Sequence, residues 1–240
     1  MLLYGYGYYP MYYGFDSTYI LVIIAAIFSM IASAKVSSTF NKYAKVRSMA
    51  GYTGAEAAER ILQSAGINDV RIERVGGNLT DHYDPKSKVL RLSDSTYGSA
   101  SVAAVGVAAH ECGHAIQHQV GYGPLKLRST LVPAANLGSK LGIPIILIGV
   151  LLGSNYFLVQ LGIWVFSLAV LFQLVTLPVE FNASNRAVRI LEDRGLLRQE
   201  ELGMCKKVLS AAAMTYVAAA ASSIISLLRL VLLFGRRRND

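Results

Sequence analysis

Residues 107–119 read VAAHECGHAIQHQ and gather three of the chain's four histidines beside a glutamate. His110 and His114 are four residues apart, so on a helix of 3.6 residues per turn they stand one above the other on one face. Two imidazoles so placed reach one ion, and Glu111 takes the place of a general base toward water that the ion activates. This HExxH pattern fixes only three positions, and a helix with exposed histidines is the plainer alternative.

The flanks favour a helix. From Ser101 the run SVAAVGVAAHECGHAIQHQVGYG has no proline before Pro124 and closes on Gly-Tyr-Gly. Ser99 or Ser101 caps its start. Cys112 and Gly113 then face away from the ion, the first as a small core residue and the second where another element comes close. Catalytic zinc takes three protein ligands and a water. His118 is the last histidine, and Gln117 and Val120 stand where an extended HExxHxxGxxH would place glycine and histidine. A carboxylate is therefore needed. Glu180 stands out in LPVEFNASNRAVRILEDRG, after a long apolar run, with Pro178 where a new helical turn could begin.

HECGH, followed after two apolar segments by PVEFNASNRA, resembles the gluzincin membrane metallopeptidases, and most closely the YugP-like family of bacterial membrane zinc metallopeptidases. The similarity runs through LTDHYDPKSKVLRLSDSTYGSASVAAVGVAAHECGHAIQH and LPVEFNASNRA, and less distinctly into AAAMTYVAAAASSIISLLRLVLLF. It implies one Zn2+ per chain on His110, His114 and Glu180, with Glu111 as base. A more distant similarity is to the HtpX and CAAX prenyl protease group, where the third glutamate sits in ExxAD. Ser184 stands at the Asp position, so the carboxylate that would orient a ligand histidine is missing, and Asn182 or Asn185 would substitute. The oxyanion partner is left open between Arg186, Tyr216 and His118.

Composition points to a membrane protein. Hydrophobic residues make up 53% and charged residues only 16%, and the mean hydropathy is +0.42. Ser17–Ala34 is uncharged and long enough to span, and with no Lys or Arg before it, it is not a signal peptide. The block from Leu141 to Pro178 breaks at GSNYF, which reads as a turn between two spans, the first reaching back past Lys140. Residues 1–34 carry no Lys or Arg, whereas Lys35, Lys42, Lys45 and Arg47 follow at once. The N-terminus is therefore expected outside and the HECGH stretch in the cytoplasm. After the hairpin come Arg186, Arg189 and Arg194, which puts Glu180 on the same side. The net charge of +8 belongs to membrane ends and anionic headgroups, and no nucleic-acid motif accompanies it. Cys112 and Cys205 both fall on the reducing side, which excludes a structural disulfide.

The expected organisation is mainly α and integral to the membrane, with a small α/β zincin-like cytoplasmic domain. A Tyr/Gly-rich extracytoplasmic tail (1–17) precedes a transmembrane helix (18–34) and the zincin-like domain (35–128), whose HExxH helix is 101–120. A transmembrane hairpin (129–178), a helix with the third ligand (179–207) and a C-terminal apolar helix with a basic tail (208–240) follow. Arg236–Arg238 favour laying that last helix on the membrane or on the domain over a fourth span. Within the domain, TGAEAAERILQSAGI is a helix with a Thr53/Glu56 capping box ending at Gly66, and VRIERV and SKVLRLS alternate as half-buried strands joined by GGNLTDHYDPK. The resemblance implies that the strand before the zinc helix is an exposed edge holding an extended substrate. His82 reads as a loop histidine bonded to Asp84.

Peptide-bond hydrolysis of membrane or unfolded proteins is the expected chemistry, with room for a membrane-protein adaptor or a homo-oligomer. Two rivals are a zinc-binding membrane scaffold without turnover, which would need no Glu111, and a transporter, whose spans would need polar residues that these lack.

Overall fold

The structure, a computed structural model, describes residues 18–234; the tyrosine-rich tail and Arg236–Arg238 lie outside them. The chain is mainly helical. Helices α1 (Tyr19–Tyr43) and α2 (Gly54–Ser64) precede strands β1 (Arg71–Val75), β2 (His82–Asp84) and β3 (Val89–Ser93). A short α3 (Asp94–Tyr97) leads into α4 (Val102–Gln119), and three long helices follow: α5 (Gly123–Leu151), α6 (Tyr156–Asp193) and α7 (Gln199–Phe234).

Among the described residues, α1, α5, α6 and α7 are long and apolar enough to cross a membrane. Their outer faces carry exposed large apolar side chains, including Ile24, Ile31, Leu151, Phe157 and Trp164. Such a surface is unfavourable in water and suits lipid. Helices α5 and α6 form a hairpin whose seam is built on small residues. A Cβ on Gly142 would lie 2.8 Å from that of Phe166, and one on Gly162 would lie 2.8 Å from the carbonyl oxygen of Gly142. The turn between them passes through left-handed Gly153 and Ser154, and Asn155 caps α6 by accepting from Leu158 N–H at 3.1 Å.

The remaining elements form a small α/β unit around α4. Thr53 and Glu56 make the expected capping box of α2, and Ser101 caps α4 by accepting from Ala104 N–H. Ala57, Ile61 and Leu62 of α2 pack with Leu90 and Leu92 of β3 and with Val105, Ala108, Ala109 and Cys112 of α4 in one core. Helix α4 is buried nearly all round, as its continuous apolar composition requires.

Four expectations are corrected. The strand before α4 is not an edge: the sheet order is β1-β3-β2, with β3 parallel to β1 and antiparallel to β2. GGNLTDHYDPK is more than a connection, since it contributes β2, and the Asp81 carboxylate pins it by accepting from the backbone N–H and hydroxyl of Ser93 at 2.8 and 2.9 Å. No helix starts at Pro178; α6 runs straight through it. A proline removes one N–H from a helix, and here the packing of α4 and α5 along α6 holds the rod on both sides. The last helix begins at Gln199 rather than 208, after a turn in which Gly195 is left-handed and Leu196 and Leu197 are buried.

Helix α7 lies along α1. Ser222 meets Ser29, hydroxyl to hydroxyl, at 3.0 Å, and Arg229 Nε donates to Thr18 Oγ1 at 3.1 Å. The order of these contacts makes the two helices antiparallel.

Candidate metal centre

Helix α4 presents His110 and His114 on one face, with ring centroids 4.8 Å apart and planes at 86°. Helix α6 brings the Glu180 carboxylate, 2% exposed, onto that face. Its Oε2 lies 3.3 Å from His110 Nε2 and 3.5 Å from His114 Nε2, and the three ligand atoms all fall within 4.8 Å of one another. Tetrahedral ligands about 2.0–2.1 Å from zinc are separated by about 3.3 Å, so both nitrogen-to-oxygen spacings suit a shared ion. Oε2 is buried with no hydrogen-bond partner. A buried, unsatisfied carboxylate oxygen is costly, and a cation between it and the two imidazoles removes that cost. The residues present therefore fit zinc.

The back of each imidazole is held. His114 Nδ1 meets Gln117 Oε1 at 3.0 Å, and His110 Nδ1 meets Ser184 Oγ at 3.1 Å. Gln117 is fully buried and its amide nitrogen donates to the Val179 carbonyl at 2.8 Å and to Asn182 Oδ1 at 3.0 Å. Its oxygen is thus the atom that faces His114, so Nδ1 of His114 must donate and Nε2 keeps its lone pair for the metal. Arg186 Nε donates to the same Asn182 oxygen at 2.8 Å. Arg186 is turned into this network and does not line the cleft in front of the ligands. Of the residues named as candidates to support the ligand histidines, Ser184 stands at the position of the missing aspartate and its hydroxyl reaches His110, while Asn182 stands behind His114 through Gln117.

Two residues were not anticipated. In the sequence Gln117 marks only a departure from a longer zinc motif; its place one turn after His114 is the available signal. Arg128, in the second turn of α5, donates from Nη1 to Glu180 Oε1 at 2.9 Å and so turns Oε2 toward the histidines. Nothing in its sequence spacing ties it to either metal-binding stretch.

In front of the ligands lies a cleft of about 700 Å³. Glu111, 8% exposed, His114 and Glu180 line it, together with β2, the first turns of α5 and Tyr216 of α7. His118 also lines it, with Nδ1 2.9 Å from the Tyr83 hydroxyl. Burial, reinforced by the charges of Asp69 and Asp84, pushes the Tyr83 phenol up to about 12, so it stays protonated at neutral pH. His82 is a strand residue on β2, and its Nδ1 meets the Thr80 carbonyl at 2.8 Å rather than Asp84. Cys112 is a small core residue, and Gly113 stands where another element comes close, which is α6 itself. Cys112 is fully buried, and a Cβ on Gly113 would lie 2.6 Å from the Ala183 carbonyl oxygen. Both cysteines are free.

Apolar helices of spanning length, joined to a compact unit in which two helices bring two imidazoles and a carboxylate together, with His114 and Glu180 lining a cleft, define a membrane protein with a metal centre. Over residues 18–235 the chain matches the family described as "Putative neutral zinc metallopeptidase". It is also 51% identical over 223 residues to the "Putative membrane protease YugP" of Bacillus subtilis (strain 168), covering 92% of this chain and 99% of that protein. No solved structure matches. The chain belongs to this family of zinc metallopeptidases, and zinc is the metal its donor set would take.

Proposed function

We propose that the chain is a gluzincin-type zinc endopeptidase with a zincin-like domain, cleaving membrane or unfolded proteins at the cytoplasmic face of the membrane. The convergence of His110, His114 and Glu180, with Glu111, His114 and Glu180 lining an open cleft, carries this reading. Zinc held there supplies Lewis acidity, which polarises a carbonyl and makes water easier to deprotonate. Glu111 takes the proton from the attacking water and delivers it to the leaving amine. Tyr216 and His118, both on the cleft wall, are the candidates for the developing oxyanion, and Arg186 acts at a distance through Asn182 and Gln117. The edge strand that holds extended substrate is β2, which takes the part first expected of β3.

The orientation follows charge. Lys42 and Lys45 at the end of α1, and Arg186 and Arg189 in the last turns of α6, stand at the end of the helices that carries the α/β unit. Helix α7 is read as a fourth span, since it pairs with α1 along its length, which puts the Phe234 end of α7 outside. Thiol labelling of Arg238→Cys from the outer side of intact cells tests this; protection from an impermeant reagent would return α7 to the inner surface.

The central test is zinc per chain and peptide hydrolysis in detergent-purified protein. About one zinc in the wild type, loss in Glu180→Ala, and zinc retained without turnover in Glu111→Gln are the expected results. Full turnover in Glu111→Gln would refute the assignment of the base, and zinc with no turnover on any unfolded or membrane-protein substrate would favour a scaffold.

A further inference from the structure

We propose that a groove between α1 and α7, away from the metal centre, binds the phosphate headgroup of an anionic membrane lipid. Four cations line this space of about 670 Å³: Lys35 and Lys42 from α1, and Lys206 and Lys207 from α7. No carboxylate lines it, and among the described residues none of the four lysines forms a salt bridge. Positions 35 and 42 are two helical turns apart on one face of α1, with the Thr39 hydroxyl between them, and Ser210 answers from one turn past Lys206 and Lys207. Like charges gathered in one groove repel unless an anion neutralises them.

The place of the groove selects the anion. Lys35 is the first charge after the apolar run of α1, and Lys206 and Lys207 are the last before that of α7, so the antiparallel pair sets all four at one membrane boundary. Toward the apolar side the groove continues over Ala211 and exposed Met214, a surface for an acyl chain that a soluble anion would leave uncovered. Basic pockets between helices on the cytoplasmic side suit lipid headgroups. Gly203 opens the other end; a Cβ there would meet nothing within 4 Å. The inference rests on α1 and α7 both entering the bilayer. It also bears on the enzyme, because neighbouring Cys205 packs against Gly106 of α4, where an added Cβ would lie 2.7 Å from its sulfur.

The test uses the full chain in phosphatidylcholine vesicles containing phosphatidylglycerol at about one lipid in five. Three readouts are taken: flotation with the vesicles, the ratio of the two lipids retained after detergent extraction, and zinc content as a check on folding. The wild type is expected to enrich phosphatidylglycerol about fivefold or more. That enrichment should disappear in Lys35→Gln/Lys42→Gln/Lys206→Gln/Lys207→Gln and in Gly203→Phe, which fills the groove and keeps every charge, and should persist in Lys45→Gln/Lys140→Gln. Enrichment that survives in Gly203→Phe, or falls equally in Lys45→Gln/Lys140→Gln, would reduce the effect to diffuse surface charge and overturn the proposal. Inorganic phosphate that stabilises the detergent-solubilised wild type, but not the groove variants, as strongly as phosphatidylglycerol does would overturn the lipid assignment. Loss of flotation would instead overturn the membrane reading beneath it.

Discussion

Gly113 of α4 and Ala183 of α6 touch backbone to backbone: a Cβ at position 113 would lie 2.6 Å from the Ala183 carbonyl oxygen and 3.1 Å from its Cα. Glu180 lies one turn before that contact and Ser184 directly after it. The closeness of the two helices therefore sets whether a carboxylate on one reaches imidazoles on the other. Gly113→Ala should push α6 away, lower zinc per chain, and cost about 1–3 kcal/mol of stability. Gly98→Ala, at a helix end where an added Cβ meets nothing, should keep full zinc. Metal analysis with thermal unfolding of both variants decides it.

The groups behind the imidazoles should act on the metal more than on the fold. Ser184→Ala and Gln117→Leu are each expected to weaken zinc binding about 10–100-fold. Gln117→Leu should also lower stability by about 1–3 kcal/mol, because the Asn182 oxygen and the Val179 carbonyl lose a buried donor. Zinc competition with a graded chelator would read both effects, and an unchanged affinity in Ser184→Ala would sink the orienting role.

Arg128 fixes the rotation of the Glu180 carboxylate through one oxygen. Arg128→Ala should leave Glu180 free to turn and lower zinc affinity about tenfold. Arg128→Lys should recover only part of it, since an ammonium lacks the planar guanidinium fork. If both variants bound zinc as tightly as the wild type, the contact would be incidental to the site.

Acid should remove the metal. In the zinc-free chain burial opposes a charge on His114, but the carboxylate of Glu180 and the charge of Glu111 outweigh it and hold the His114 pKa above the usual imidazole value. The folded chain then binds this proton more tightly than the unfolded chain. The resulting stability is fully present below about pH 6.5 and is lost as pH rises through the raised value. Zinc competes for the same lone pair. On going from about pH 8 to about pH 6, zinc occupancy should fall while the chelated protein gains thermal stability, and His114→Ala should flatten that gain. A chelated wild type whose stability is indifferent over this range would contradict the shift.

The residues whose roles depend on helical spacing could be read from sequence. His110, Glu111 and His114 fall on one face through the period of the helix alone, and the caps at Thr53 and Ser101 follow from local hydrogen bonding. Glu180 needed the run of the chain after the apolar block. What depends on contact between distant segments could not be read: Arg128 meets Glu180 across 52 positions, and neither stretch carries a sign of the other. β2 escaped because three residues are too few to establish an alternation. Pro178 misled because proline usually ends a helix, and only packing on both sides shows that this one continues.

Helix α6 is a single rod from the turn at Tyr156 to Asp193, with Glu180 part-way along. Tyr156 to Glu180 is about 24 residues at 1.5 Å each, or about 36 Å, against a hydrocarbon layer about 30 Å thick. The rod thus works as a depth gauge. With Tyr156 at the outer boundary and the rod along the bilayer normal, as the proposed orientation has it, Glu180 would stand about one helical turn beyond the oily layer, and the bond to be cut would then be chosen by its distance from the membrane surface as much as by the side chains around it.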